Sequence, residues 1–283
     1  MRELWVYDGA VGTLRPEECR TAGDVRSLAQ AMYGGVDLAA REGVVHVTAL
    51  WASPAGALLT LRINEHTPKS PHDRFALGLA RARADAILVT GKVLRDEPGL
   101  RYELGGPGEL PRGLAAWRAE HAGRHEPPWL LVLTSGRGLD LSHPALHGWA
   151  RPLIFTGEAA AAELRQRGDA AGVEIVGSAQ PSARAAIAHL RGERRARVVT
   201  IEAGPTVSRP LYDDPRAVHE LMLSLFRGPE VAPQAIGAAL APSRAALVGR
   251  LGEGTGPWPV VEASGPWTFE LLPLSPASPA PRL

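Results

Sequence analysis

Four short apolar runs in this chain end on a small hydroxyl or a glycine: Ala86–Thr90 into Gly91, Leu130–Thr134 into Ser135-Gly136, Pro152–Thr156 into Gly157, and Val198–Ile201 into Glu202-Ala203-Gly204. Runs of this length, rich in Val, Ile and Leu and separated by helix-like stretches, read as buried parallel strands. Parallel neighbours need crossover connections, so the pattern commits the chain to an α/β architecture with right-handed crossovers. Glycine and Ser/Thr at the carboxyl ends let backbone approach a ligand and leave N–H and O–H groups free, in the crevice where open α/β sheets bind their ligands. Strand-to-helix turns favour the same residues for purely local reasons, so one such ending means little. The fourfold repetition is what points to a site.

A chain of 283 residues allows one large domain or two small ones, and a 45% hydrophobic content is ample for a packed core. The net charge of +1 offers no broad basic surface, which argues against a nucleic-acid partner. The single cysteine, Cys19, excludes an intrachain disulfide framework and any multi-cysteine zinc site. The opening Met1–Tyr7 is interrupted by Glu3 and has no apolar core of signal length, and no run of about 20 apolar residues follows. The expectation is a cytoplasmic protein that does not contact membranes.

Three parts are expected along the chain. Residues 1–56 read as an N-terminal extension packing on the main domain, with one helix-like stretch, Val25–Arg41, broken by Gly34-Gly35. It also holds an alternating strand candidate, Val44–Trp51, before the turn Ser53-Pro54-Ala55-Gly56. Residues 57–272 form the main domain, in which strands at 58–63, 86–90, 130–134, 152–156, 173–176 and 197–201 alternate with helices at 71–84, 114–122, 158–167 and 182–191. Val218–Phe226 and Thr268–Leu272 read as strands closing the sheet edge antiparallel. The Pro- and Ser-rich tail, 273–283, lacks the apolar content to offset the entropy of ordering and reads as disordered.

Several residues that draw the eye have local explanations. In Ser70-Pro71-His72-Asp73 the serine caps a helix, the proline suits its first turn, and Asp73 sits near the positive end of the dipole. His121 and His125 have i, i+4 spacing, but Gly123 lies between them and Pro127-Pro128 follows, so a ligating helical turn is not expected. His143 and His147 repeat that spacing with no third ligand close in sequence. No metal site is expected. Ser135 in Thr-Ser-Gly lacks the Gly-x-Ser-x-Gly context of a hydrolase elbow.

The segment from Asp73-Arg74-Phe75-Ala76-Leu77-Gly78 through Ala86-Ile87-Leu88-Val89-Thr90-Gly91 to Arg95-Asp96-Glu97-Pro98 resembles the reductase half of the riboflavin-biosynthesis deaminase-reductase. So do Leu133-Thr134-Ser135-Gly136, Thr200-Ile201-Glu202-Ala203-Gly204-Pro205 and Glu220-Leu221-Met222-Leu223-Ser224-Leu225, in the family's order. The family's deaminase half is missing, since neither a His-x-Glu nor a Pro-Cys-x-x-Cys zinc motif occurs.

The resemblance implies a dihydrofolate-reductase-like fold, a mainly parallel sheet with flanking helices and antiparallel edge strands, with NADPH lying across the carboxyl ends of the strands. It places Gly91, followed here by Lys92, beside the central portion of the cofactor. Thr134 and Ser135 fall at the adenosine ribose or its 2′-phosphate, with Arg137 able to pair with that phosphate. Thr156 and Gly157 edge the adenine side, and Ala203, Gly204 and Thr206 approach the pyrophosphate. Asp96 and Glu202 match the family's acids and are the catalytic candidates. After its first strand the family shows Ser-Leu-Asp-Gly; with 58–63 taken as that strand, the segment here is Asn64-Glu65-His66-Thr67, which makes Asn64 and His66 the substrate-side candidates. The expected activity is NADPH-dependent hydride transfer to an imine or carbonyl carbon of a small nitrogen-containing substrate by a homodimer. The competing expectation is a non-catalytic relative that binds nucleotide or a protein partner.

Overall fold

The strand at the middle of the sheet comes from the stretch assigned above to an N-terminal extension. A computed structural model describes residues 14–106, 108–167, 172–213, 215–252 and 254–273. In it β1 (Gly43–Ala52) runs parallel to β7 (Val198–Ile201) on one side and to β8 (Glu220–Phe226) on the other. The boundary at residue 56 therefore separates nothing, because removing residues 43–52 would divide the sheet in two. The expected helix over Val25–Arg41 is instead α1 (Ala22–Met32), stopped where Gly34 and Gly35 take left-handed φ values of 64° and 78°.

The chain continues through β2 (Leu58–Leu61), α2 (Pro71–Arg83), β3 (Ala86–Thr90), α3 (Gly91–Asp96), α4 (Leu110–Glu120) and β4 (Trp129–Leu133). It then forms β5 (Arg151–Gly157), α5 (Glu158–Arg165), β6 (Glu174–Ser178), α6 (Ala183–Gly192), β7, α7 (Pro205–Ser208) and β8. Last come β9 (Ile236–Ala241), α8 (Arg244–Leu251), β10 (Thr255–Glu262) and β11 (Gly265–Pro273). The strand order is β10-β11-β8-β1-β7-β3-β4-β5-β6, with β2 on the last residues of β1 and β9 on β2. Strands from β8 to β6 in this order are parallel, and β10, β11, β2 and β9 pair antiparallel.

The expected α/β sheet is thus observed, with one revision. β8 is not an antiparallel edge: it lies parallel to β1 and is covered on its far side by β11, so the apolar run Leu221–Phe226 is satisfied within the chain. The expected tail, apart from Pro273 at the end of β11, lies outside the described residues.

Both faces of β1 are buried, which explains its near-continuous apolar character. Val45, Val47 and Trp51 pack with α1, α2 and α4 through Val25, Leu28, Met32, Phe75, Leu79 and Trp117. Val44 and Leu50 enter the opposite layer with Leu221, Leu223 and Leu225, Ile187 and Leu190 of α6, and Leu247 and Leu251 of α8. α1 starts on a capping box, with Asp24 N–H donating to Thr21 Oγ1 at 3.2 Å and Thr21 N–H to Asp24 Oδ2 at 2.9 Å. Ser70 caps α2 as expected, accepting from Asp73 N–H at 3.0 Å.

One ion pair crosses this apolar interior. Arg83 Nη2, at the end of α2, donates to Glu220 Oε2 of β8 at 2.9 Å, and the two side chains are 1% and 2% exposed. Arg41 reaches the other Glu220 oxygen from the surface side. Burial pulls the Arg83 guanidinium below its usual range, and the Glu220 carboxylate acts against that shift. Glu220→Ala leaves a buried cation unpaired and should cost about 3–5 kcal/mol, whereas Arg83→Met with Glu220→Leu should recover most of that loss. Urea denaturation of the three proteins checks this, and an equal loss in the single and double variants would contradict it.

Candidate functional site

The parallel strands end nearly level. Ile201 of β7 lies opposite Leu88 of β3, Thr90 opposite Leu133 of β4, Leu133 opposite Phe155 of β5, and Gly157 opposite Ser178 of β6. Glu202-Ala203-Gly204, Thr90-Gly91, Thr134-Ser135-Gly136 and Thr156-Gly157 therefore fall side by side along one edge. Every expected cofactor-side residue sits there.

Gly91 opens α3 directly against the neighbouring strand end, where a Cβ would lie 2.6 Å from Thr134 Oγ1. Only glycine permits that approach. Thr134 Oγ1 in turn accepts from Gly136 N–H at 3.1 Å, which shapes the turn and leaves Ser135 and Arg137 exposed at its rim. Thr156 is fully buried, and among the described residues its hydroxyl has no hydrogen-bond partner. Gly157, Gly204 and Thr206 lie nearer the surface, while Ala203 is buried.

Arg95 escapes the sequence reading, although its i+4 spacing from Gly91 puts it on the same face of α3. Its Nη1 donates to the Arg137 carbonyl at 3.3 Å, so its guanidinium lies across the ends of β3 and β4. Lys92, by contrast, pairs with Asp96 at the surface, and both are exposed. An exposed pair of this kind is weak and screened by solvent.

The acids separate by environment. Glu202 is held by Arg81 of α2 through Nε to Oε1 at 2.8 Å and Nη2 to Oε2 at 2.7 Å. The Arg81 guanidinium lies 4.7 Å from the Tyr102 ring centre and donates to the Glu103 carbonyl at 3.1 Å. Both Glu202 oxygens are thus engaged, a positioning arrangement that ties β7 to α2. Glu97 is the acid the sequence reading passed over. Burial pushes its carboxyl above the usual range, and the nearby Asp96 and Glu202 charges add to that against Arg81.

The turn carrying Asn64 and His66 hydrogen-bonds elsewhere. Asn64 Nδ2 donates to the Gln234 carbonyl at 3.0 Å, Arg62 N–H to the Ala235 carbonyl at 2.9 Å, and Asn64 Oδ1 accepts from His66 N–H at 3.0 Å. This turn follows antiparallel β2, whereas the parallel strand that opens the sheet is β1. β1 leads into a turn closed by Gly56 N–H on the Ser53 carbonyl at 2.8 Å. Ser53-Pro54-Ala55-Gly56 thus occupies the place where the resemblance calls for Ser-Leu-Asp-Gly, keeping the serine and glycine and carrying alanine at the acid. Asn64 and His66 thus stand on a turn that follows an antiparallel strand and lies beside Gln234 and Ala235.

Between Ile201 of β7 and Leu221 of β8 lies a second feature absent from the sequence reading. His46 of β1 is 1% exposed, with Nδ1 2.6 Å from the Tyr212 hydroxyl. Burial pushes the imidazole down to about 4 and the phenol above its usual range, so both are neutral near pH 7. Among the described residues no group of three or more His, Cys, Asp or Glu could hold a metal ion. Among them, too, no helix is long and apolar enough to cross a membrane.

No protein-family model matches this chain, and no curated protein matches it. Solved structures do. A pyrimidine reductase-like protein from Corynebacterium diphtheriae superposes with a TM-score of 0.60 at 21% identity, over 88% of this chain and 98% of that one. Two forms of RibD from Acinetobacter baumannii superpose at TM-scores of 0.50 and 0.51, with 14% and 15% identity, over 82% and 83% of this chain. The chain spans 58% and 59% of their length. The fold is the one that these proteins share, as the resemblance implied.

His46 makes the stability of this region depend on pH. Its folded value of about 4 lies below the ordinary 6.5, so between the two the unfolded chain binds more protons. This contribution is complete above pH 6.5 and falls by up to about 1.4 kcal/mol per pH unit as the pH drops toward 4. His46→Leu should flatten that part of the stability profile in urea unfolding across the window; an unchanged slope would count against it.

Proposed function

We propose that this protein binds NADPH along the carboxyl edge of its parallel strands and reduces an imine or carbonyl carbon of a small nitrogen-containing substrate. The observation that carries the reading is the level row of four strand ends presenting Gly91, Thr134-Ser135, Thr156-Gly157 and Ala203-Gly204. Two further features fit an anionic dinucleotide: the unpartnered Thr156 hydroxyl and the Arg95 guanidinium drawn across two strand ends.

In this reading Ser135, Arg137 and Arg95 receive the 2′-phosphate. Gly204 and Thr206 offer donors to the pyrophosphate, and Gly91 leaves room for the chain of the cofactor to pass. NADPH, when bound, supplies the hydride. The protein holds substrate and nicotinamide together, excludes water and provides a proton, for which Glu97, beside Asp96 at the end of α3, is one candidate whose carboxyl burial pushes above its usual range. Glu202 acts through Arg81 on the position of the β7 turn.

The second reading, a nucleotide-binding protein without turnover, is favoured by one observation: Ala55 stands where the resemblance calls for an acid. One experiment separates the two. Purified protein is titrated with NADPH, then followed at the absorbance of the reduced nicotinamide with the deaminated ribosylamino-pyrimidine phosphate and a panel of cyclic imines and carbonyls. Saturable binding with oxidation of NADPH supports the reductase, binding with no oxidation supports the second reading, and no binding overturns both.

Arg95→Ala and Arg137→Ala should each weaken NADPH by about 1–3 kcal/mol and leave NADH nearly unchanged, since a charge-assisted bond to the 2′-phosphate is what they lose. Fluorescence titration of both nucleotides decides it, and equal losses for the two would remove the 2′-phosphate from this part of the site.

A further inference from the structure

A buried carboxylate stands on the other side of β1 from the row of strand ends, with one oxygen crowded by donors and the other bare. Residues alternate along β10, so Trp258, Val260 and Glu262 share one face. That face meets Leu28 and Ala31 of α1 and Pro71 and His72 at the start of α2 around a cavity of about 840 Å³. In the sheet β11, β8 and β1 separate β10 from β7, so four strand spacings, or about 19 Å of sheet, lie between this cavity and the strand that carries Glu202-Ala203-Gly204. The cavity is a place apart.

Glu262 has a side chain only 7% exposed. Its Oε1 accepts from Ser70 Oγ at 2.8 Å and His72 Nδ1 at 2.6 Å, with the His72 N–H a third donor at 3.4 Å. Ser70 also caps α2, and the His72 ring rests against Trp258 and Phe269 with centres 5.2 and 5.9 Å apart. The carboxylate is therefore held in one place. Its Oε2 is buried and has no hydrogen-bond partner among the described residues. A carboxylate oxygen withdrawn from water without a donor is costly. One water would need only about 30 Å³, far less than this cavity offers, and apolar walls around one fixed polar group are what small-molecule sites have.

Charge decides the class of ligand. Arg15 and Glu17 on the exposed border are of opposite sign, and Lys69 donates to the Asn64 carbonyl, so Glu262 is the buried acid of this cavity. A carboxylate among apolar groups disfavours an anion and binds a charged N–H more strongly than a neutral one. We propose that the cavity binds a small organic cation with a flat apolar body, an arylalkylamine or an arylamidine. Its N–H donates to Glu262 Oε2, and its body lies between Trp258 and Val260 on one side and Leu28 and Ala31 on the other. Trp258 adds attraction for the cation through its ring face. The site is independent of the dinucleotide reading and stands whether or not NADPH binds.

The test titrates the whole protein by calorimetry with benzylamine and benzamidine as probes, and with benzyl alcohol and benzoate as neutral and anionic controls of similar size. The cations should bind at least about tenfold more tightly than either control, the difference of one charge-assisted hydrogen bond. Two variants locate them. Glu262→Gln keeps the shape and removes the charge, and the advantage of the cations over benzyl alcohol should vanish. Ala31→Trp fills the cavity from α1 with Glu262 left in place, and binding of both cations should be lost. Circular dichroism melting confirms that each variant is folded, and Ala31→Trp decides the matter if Glu262→Gln is not. Wild-type protein that takes the cations no better than the controls overturns the proposal, as it would if Oε2 merely holds water. Cation binding that is unchanged in a folded variant overturns it too, because the cations then sit elsewhere.

Discussion

The length of β1 sets the rest of the architecture. β7 pairs with it only from Gly43 to His46 and then stops, whereas β8 follows it from Val45 to Trp51. Where β7 ends, β1 continues and takes β2 as its new neighbour at Leu50–Ala52. Two strands of unequal reach, held in one register by apolar packing on both faces, leave a step in the sheet. The Glu202-Ala203-Gly204 turn leaves the sheet where β7 ends, directly after the last pairing of β7 with β1 at His46 and Ile201.

The two ends of the sheet are built differently. At the amino end, Asp85 accepts from Val198 N–H at 2.8 Å, Arg197 N–H at 2.9 Å and Arg124 Nε at 2.8 Å, so one carboxylate joins the starts of β3 and β7 to the chain beyond α4. Arg118 adds bonds to the Ala82 and Ala84 carbonyls at 2.9 and 2.6 Å. At the carboxyl end, polar groups are left open or held in reserve: the Thr156 hydroxyl, His46 Nε2, and exposed Ser135 and Thr206.

The parts of this fold legible in the sequence are those fixed by local pattern. Ala86–Thr90 is a strand at its expected limits because four apolar residues and a threonine between a helix and Gly91 admit little else. The strand ends are legible for the same reason. β1 was misplaced because His46 and Thr48 break its apolar run into the alternation of a half-buried strand. The burial of His46 depends on a hydroxyl 166 residues away. The role of Glu202 depends likewise on an arginine 121 residues distant. From β9 to β10 the chain is rich in Ala, Gly and Pro, which hides strands whose stability comes from their neighbours.

β10 ends the sheet on one side, and Pro257 and Pro259 lie within it. Proline has no N–H to give, so these positions turn their blank side outward while β11 keeps the ladder on the other. An arriving strand would meet an interrupted row of donors along this border. Along this border, sheet continuation between copies of the chain is therefore disfavoured, and the exposed Val261 can remain at the margin without seeding fibrous growth there.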